Sequence, residues 1–233
     1  MATERAISRW TGAVYLVVVV TGIFSLGYVP GQISAPGDPQ AMLGNLVTHQ
    51  WLVRAGVAAF FIEQVAFLLL PLLLFRLLQH VHRQVAVAMV ALAVTAVPIA
   101  LVAAVHRLDA LSILTESRFV GIAQLDVLNA LALQSLKAYE HGIFAASLFW
   151  GLWLLPFGWL VHRSGLLPRV FGVLLMLGCA GYLCNVFGEL LVPGYGASLF
   201  SDYATAPASL GEIGICLWLL VVGARPRRDA AAA

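Results

Sequence analysis

Charged residues are scarce in this chain. Only 10% of its 233 residues are Asp, Glu, Lys or Arg, whereas a soluble domain carries about 25%. Hydrophobic residues make up 61% of the chain. The composition therefore excludes an ordinary soluble domain and predicts an integral membrane protein.

Cysteines and catalytic signatures are also few or missing. The three cysteines, Cys179, Cys184 and Cys216, have neither the spacing of a disulfide framework nor that of a zinc finger. The sequence has no Gly-x-Ser-x-Gly elbow, no P-loop, no Cys-x-x-Cys-His and no Asp-Asp-x-x-Asp. These absences argue against common hydrolases, NTPases, c-type haem proteins and soluble-type prenyl synthases. No dense basic face indicates a nucleic-acid partner.

Long apolar runs are abundant instead. A helix needs roughly 20 apolar residues to cross the hydrocarbon core of a bilayer, and six runs reach or approach that length. They lie near residues 10–28, 53–75, 85–105, 142–161, 170–192 and 209–224. No linker or change of composition divides the chain. The sequence therefore predicts an all-α fold, a polytopic six-helix transmembrane bundle formed by a single domain over residues 1–233.

Two longer connections are predicted to carry amphipathic helices on the extracytoplasmic side. Asp38 followed by Pro39 is typical of an N-cap and a first helical residue, which predicts a short helix through about His49. From Ile122 to Tyr139, apolar residues recur every three or four positions. This spacing predicts a second helix that runs toward the fourth span.

Basic residues are unevenly distributed between the two sides of the predicted bundle. Four of them are assigned to one side: Arg54, Arg107, Arg118 and Lys137. Nine are assigned to the other: Arg5, Arg9, Arg76, Arg83, Arg163, Arg169, Arg225, Arg227 and Arg228. Because positively charged short loops stay in the cytoplasm, both termini are predicted to be cytoplasmic. The first apolar run is too long for the signal-peptide core of about 7 to 15 residues, so we expect a retained helix there.

Four glutamates lie within or at the edge of the apolar runs: Glu63, Glu140, Glu189 and Glu212. An ionisable group inside a bilayer costs about 2.5 to 3.5 kcal/mol on insertion scales, so such residues commonly mark functional sites. Glu63 is predicted near the middle of the second span. Arg54, nine residues earlier, is about half a turn out of phase and cannot easily neutralise it. A purely structural role, with the acids solvated or hydrogen-bonded to neighbouring helices, remains the alternative.

Helical spacing places further polar residues on shared faces. The fifth span carries a stripe of four such positions: Gly178, Tyr182, Asn185 and Glu189. The first span carries another: Thr11, Tyr15, Gly22 and Ser25. Because lipid offers no hydrogen bonds, these stripes are predicted to face other helices.

Several stretches resemble a known membrane family. They include Arg9 to Leu16, Phe157 to Ser164, Leu167 to Gly172 and Gly211 to Leu220. Together they are similar to the bacterial membrane family catalogued as domain of unknown function four-three-eight-six, over nearly the whole chain. The resemblance implies the six-helix architecture and a location in the bacterial inner (plasma) membrane. It implies no activity and transfers no catalytic residue.

The leading functional hypothesis is an outward-opening, carboxylate-lined pocket for a lipophilic small molecule. Glu63 and Glu212 are the candidate acid and base of a cyclase or isomerase that acts on an isoprenoid-like substrate, because two carboxyls in different environments can divide these roles. The candidate binding residues share those helices or lie near them: Tyr182, Asn185, Glu189, Glu140, His141 and Trp218. A proton-coupled transporter and a non-catalytic membrane subunit are the alternatives.

Metal binding is not expected. The sequence has no Glu-x-x-His, His-x-x-x-His or His-Glu-x-x-His motif. His106 and Asp109, three residues apart, could meet the Glu140–His141 pair at the outer rim, and these four residues are the alternative candidate for a metal site. The sequence thus predicts no metal and no other cofactor. The expected partners are the lipid bilayer and a lipophilic small molecule.

Overall fold

The computed structural model describes residues 2–116, 121 and 123–224. Its regular elements in that part of the chain are helices. The α-helices are α1 (Ala2–Gly22), α2 (Val29–Ile33), α3 (Pro39–Thr48), α4 (Gln50–Leu78), α5 (Arg83–Thr115), α6 (Leu125–Leu152), α7 (Leu154–Ser164), α8 (Arg169–Leu191), α9 (Leu199–Tyr203) and α10 (Ala206–Val221). A π-helix, Ile23–Tyr28, joins α1 to α2, and a 3-10 helix, Tyr195–Ala197, precedes α9.

Six stretches of the described residues are long and apolar enough to cross a membrane. They are Ala6–Ile33, Gln50–Leu78, Arg83–Thr115, Leu125–Ser164, Arg169–Leu191 and Leu199–Val221. Each overlaps one of the spans predicted from the sequence. The prediction of an all-α, six-helix transmembrane fold is confirmed, and the protein is a multi-pass integral membrane protein.

The predicted amphipathic helices are present, although one of them is not a separate element. α3 begins where the sequence predicts, because the Asp38 carboxylate accepts a hydrogen bond from Ala41 N at 2.9 Å. The helix predicted between Ile122 and Tyr139 is instead the first part of α6. No glycine or proline interrupts residues 125–141, so the helix continues into the fourth span.

By contact density the chain divides into two compact units. Within the described residues, unit 1 comprises 2–17, 66–97 and 146–224. Unit 2 comprises 18–65 and the described part of 98–145. Each unit has its own core and its own buried polar groups.

The core of unit 2 is built around α3. Nine buried apolar side chains from α2 and α3 and from the helices beside them form this cluster: Val29, Ile33, Leu43, Leu46, Val53, Ala110, Leu111, Ala132 and Leu136. The two positions from α6, Ala132 and Leu136, belong to the apolar face predicted from the sequence. The part of that face from Leu128 to Leu136 is buried, as the periodicity indicates, whereas Leu125 at its start is 69% exposed.

The core of unit 1 contains stacked aromatic rings. Trp153 and Phe157, both fully buried, stack with centroids 5.0 Å apart, and Phe67 meets Trp153 edge-on at 5.3 Å. Trp153 also marks the break between α6 and α7. Pro156, which lacks an N–H, cannot donate the hydrogen bond that would continue the helix at this point. Pro71 and Pro98, by contrast, lie inside unbroken helices.

Candidate functional site

The clearest polar contact in unit 1 joins the first and last spanning helices. The Tyr15 hydroxyl donates a hydrogen bond to Glu212 Oε1 at 3.0 Å. Tyr15 is 1% exposed and Glu212 is partly buried. Within the described residues, Glu212 takes no other hydrogen bond, so these residues leave its second carboxyl oxygen unbonded.

A glycine brings these two helices close enough for the contact. A Cβ on Gly12 would lie 2.8 Å from Leu220 N, closer than real Cβ atoms approach backbone. The Cys216 thiol also donates to Gly12 O at 3.7 Å. Tyr15 lies nearly one helical turn after Gly12, so its ring reaches across to Glu212 where the two backbones are nearest.

The fifth span contributes to this site at Tyr182. The Tyr15 hydroxyl lies within electrostatic range of Tyr182 and of Cys216. The Tyr182 backbone is close to α6, because a Cβ on Gly151 would collide with the Tyr182 Cβ. Of the predicted polar stripe, Gly178 and Tyr182 are therefore packed against neighbouring helices of unit 1.

The other two residues of that stripe, Asn185 and Glu189, lie toward the end of α8 and the connection that follows it. The Asn185 amide donates to Ser201 O at 3.0 Å and accepts from the Tyr195 hydroxyl at 2.8 Å. Both bonds attach α8 to the connection that contains α9. Glu189 is exposed. These hydrogen bonds give Asn185 the role of a structural anchor, because its side-chain NH2 and its side-chain oxygen each bind another part of the protein.

Trp218 completes the candidate residues of unit 1. It is partly buried, and its ring meets Phe171 edge-on with centroids 6.4 Å apart. It follows Glu212 by six residues on α10. The two side chains therefore lie on different faces of that helix, about 120° apart around its axis.

Unit 2 holds the buried carboxyl of the second span. Glu63 is 7% exposed, and the Ser25 hydroxyl donates to its Oε2 at 3.1 Å. Ser25 belongs to the π-helix of the first span. Gly22, just before that π-helix, lets the carboxyl approach closely, because a Cβ there would lie 3.3 Å from Glu63 Oε1. π-Helical segments inside α-helices are rare and frequently occur at functional sites.

The first-span stripe predicted from the sequence supplies both carboxyl partners. Thr11, Tyr15 and Ser25 are at most 1% exposed, so the prediction that this stripe faces other helices is confirmed. Tyr15 bonds Glu212 within unit 1, and Ser25 bonds Glu63 within unit 2. The pattern identified the face, but it did not identify which acid each hydroxyl contacts.

A buried arginine in unit 2 is the residue that sequence reasoning missed. Arg107 was assigned to the outer basic residues, but it is 8% exposed and its Cζ lies 4.2 Å from the centroid of the Tyr139 ring. Glu140 and His141, which follow Tyr139, are exposed. The signal was present, since the apolar pattern of the third span continues past Arg107 to Leu114.

The eight candidate residues thus belong to two sets. Glu63, Glu140 and His141 lie in unit 2, and the other five lie in unit 1. In the part of the chain that the structure describes, no group of three or more His, Cys, Asp or Glu side chains is arranged to hold a metal ion. His106 and Asp109 form a pair at 3.4 Å, with the acid three residues after the histidine.

The fold and its hydrogen-bonded carboxyls define a multi-pass membrane protein with polar groups held inside its spanning helices. The family model described as Domain of unknown function (DUF4386) matches residues 10–223. The chain belongs to this family, as its sequence resemblance predicts. No curated protein and no solved structure matches it.

Proposed function

We propose that this protein is a membrane-embedded acid/base catalyst that acts on a lipophilic small molecule, with cyclase or isomerase chemistry on an isoprenoid-like substrate. The observation that carries the proposal is the hydrogen bond from Tyr15 to Glu212 within two membrane-spanning helices. The pocket and the substrate are parts of the proposal. Its support is the chemistry of the side chains.

The Tyr15–Glu212 pair has the features that acid/base catalysis requires. Tyr15 holds one carboxyl oxygen and fixes its direction, while the described residues leave the other oxygen without a hydrogen bond. A carboxyl in this position can give a proton to a bound molecule or take one from it. In this proposal Glu212 is the catalytic acid/base and Tyr15 is its positioning residue.

The surroundings of Glu212 favour a lipophilic ligand. Tyr15 holds its aromatic ring beside Glu212 and Tyr182 lies near the Tyr15 hydroxyl, whereas Trp218 and Phe171 pack together on a different face of α10. The face of an aromatic ring can stabilise a cationic carbon centre by a cation–π interaction. Protonation by Glu212 followed by stabilisation of the cation is the reaction type that fits these residues.

Product analysis tests the proposal directly. Membranes from cells that express the protein are supplied with isoprenoid precursors, and lipophilic products are compared by mass spectrometry. The wild type should give a product that Glu212→Gln lacks, because glutamine keeps the shape and loses the titratable proton. Asp202→Asn makes the same chemical change at an exposed position of unit 1 and should keep the product. A Glu212→Gln protein that folds and makes the product at the wild-type rate would overturn the proposal.

Within unit 2, Glu63 is proposed as an acid/base group in its own right. Its burial and its bond to Ser25 support a role that depends on one protonation state. Glu63→Gln should fold normally and lose turnover, whereas Asp126→Asn, at an exposed position of the same unit, should not. Full activity in a well-folded Glu63→Gln protein would leave Glu63 with a structural role only.

A proton-coupled transporter is the second candidate. The observation that favours it is irregular helix geometry inside the first span, the π-helix at Ile23–Tyr28. Transporters commonly place such irregular segments beside their binding sites. Proteoliposomes loaded with a pH-sensitive dye would show substrate-dependent proton movement if this candidate is right, and Glu63→Gln should abolish that movement.

The orientation is part of the proposal as well. The basic residues favour cytoplasmic termini in a bacterial inner membrane. Single cysteines placed at positions 37 and 80 of a cysteine-free protein test this in intact cells. A membrane-impermeant thiol reagent should label position 37 and not position 80. The reverse result would invert the topology.

A further inference from the structure

One buried arginine of unit 2 has an aromatic partner but no hydrogen-bond acceptor. Arg107 is 8% exposed, and its Cζ lies 4.2 Å from the centroid of the Tyr139 ring. Within the described residues, no oxygen accepts a hydrogen bond from its guanidinium and no carboxylate pairs with it at ion-pair distance. An arginine carries five N–H donors. All five are therefore left to something other than the described protein.

The guanidinium nitrogens of Arg107 remain accessible from outside the described protein, because none of them is among its fully buried polar atoms that lack a hydrogen bond. Arg107 precedes the end of α5 at Thr115 by eight residues, which is about 12 Å along the helix axis. Arg107 also follows the start of α5 at Arg83 by 24 residues, about 36 Å, which exceeds the hydrocarbon core of about 30 Å. This position suits contact with the headgroup of an amphiphile better than contact with its apolar chain.

The acids nearby do not supply the missing acceptor. Glu140 attracts Arg107 electrostatically, but it is exposed and makes no ion pair with it. Glu63 lies within electrostatic range of Tyr139 and already accepts a hydrogen bond from Ser25. The negative charge of Glu140 thus acts on Arg107 from a distance, but no carboxylate oxygen of the described residues contacts the guanidinium.

We propose that Arg107 and Tyr139 form a binding site for the anionic headgroup of an amphiphile, a carboxylate or a phosphate whose apolar chain lies in the bilayer. A guanidinium binds both groups through two parallel N–H···O bonds. The Tyr139 ring holds the guanidinium in place by a cation–π contact, which lowers the entropy lost on binding. The site lies within unit 2 and is independent of the chemistry proposed at Glu212.

Two sources can provide such a headgroup, and binding assays on the full chain separate them. In a non-ionic detergent, the probe is dodecyl phosphate, with dodecanol as the uncharged match. In nanodiscs, the comparison is retention of phosphatidylglycerol against phosphatidylcholine, read by native mass spectrometry. Arginine-dependent binding of dodecyl phosphate indicates a free amphiphile. Arginine-dependent retention of phosphatidylglycerol alone indicates a bilayer lipid.

The variants at Arg107 separate the effect of its bidentate hydrogen bonds from that of its charge. The variants at Tyr139 separate the effect of its ring from that of its hydroxyl. Arg107→Met should weaken binding of the anionic probe by about tenfold or more, because it removes two charge-assisted hydrogen bonds. Arg107→Lys keeps the charge, loses the bidentate fork, and should weaken binding by a smaller factor. Tyr139→Leu should weaken it about threefold by removing the ring face, whereas Tyr139→Phe should leave it unchanged.

The control is Arg54→Gln, which removes an exposed cation from the same unit. It should change binding by less than about twofold, since exposed charges are screened and hydrated. If Arg107→Met does not fold, Arg107→Lys and Tyr139→Leu decide the question. The proposal is overturned if these variants bind as the wild type does, or if the wild type prefers neither anionic probe over its match.

Discussion

The Tyr15–Glu212 hydrogen bond predicts a measurable coupling between two positions that are 197 residues apart in the sequence. Tyr15→Phe keeps the buried ring and removes only the hydroxyl that Glu212 accepts from. Glu212→Met removes the acceptor at nearly constant length. Hydrogen bonds between helices of a membrane protein contribute about 0.6 kcal/mol on average and up to about 1.7 kcal/mol. We expect the coupling free energy between positions 15 and 212 to fall in that range.

Unfolding by sodium dodecyl sulfate in mixed micelles, read by circular dichroism, measures the four free energies of the cycle. A loss of about 1 kcal/mol corresponds to roughly 2 to 4 °C in the melting temperature of a chain this long.

Tyr15→Phe should lower the free energy of unfolding in the wild type and in Glu212→Gln, because the glutamine oxygen still accepts the hydrogen bond. It should be nearly neutral in Glu212→Met. Tyr28→Phe, at a residue that is 53% exposed, is the matched control and should cost less than about 0.5 kcal/mol. Equal costs of Tyr15→Phe in all three backgrounds would refute the reasoning.

The remaining predictions concern packing and capping. Gly12→Ala should cost about 1 to 3 kcal/mol, because its Cβ would lie 2.8 Å from Leu220 N, while Gly44→Ala, with nothing within 4 Å, should be neutral or stabilising in the same denaturation assay. Asp38→Ala should cost about 1 kcal/mol of local stability by removing the N-cap of α3, visible as faster amide exchange in that helix and not in Asp38→Asn. Asn185→Ala should raise amide exchange in α9, where its amide holds a backbone carbonyl, and unchanged exchange would contradict the anchoring role.

The spanning helices could be predicted because their signal is local. Runs of about 20 apolar residues and the Asp38–Pro39 cap need no knowledge of the rest of the chain. The buried face of the first span was also predictable, since Tyr15 and Ser25 recur at helical spacing among apolar residues. The choice of partner was not, because it depends on which helices are neighbours. No periodicity encodes that choice.

Two further features had no clear sequence signal or were misjudged. The π-helix at Ile23–Tyr28 has no residue signature of its own, although it carries the Ser25 hydroxyl that bonds Glu63. The sequence places Arg107 among the outer basic residues near loops or helix ends, because the third apolar run ends near residue 105. α5 extends to Thr115 in the structure and encloses it.

The contact between α7 and α8 bears on how the protein is made. Gly165, at φ +67°, turns the chain after α7, and the two helices then meet backbone to backbone: a Cβ on Gly158 would lie 2.6 Å from Gly172 O, and a Cβ on Gly172 would lie 2.6 Å from Gly158 O. The partners are 14 residues apart, so the hairpin can close as soon as α8 leaves the ribosome. The pair is suited to enter the bilayer as one preassembled hairpin. A larger residue at either glycine would accordingly act during biogenesis and reduce the amount of protein inserted, whatever its effect on the finished molecule.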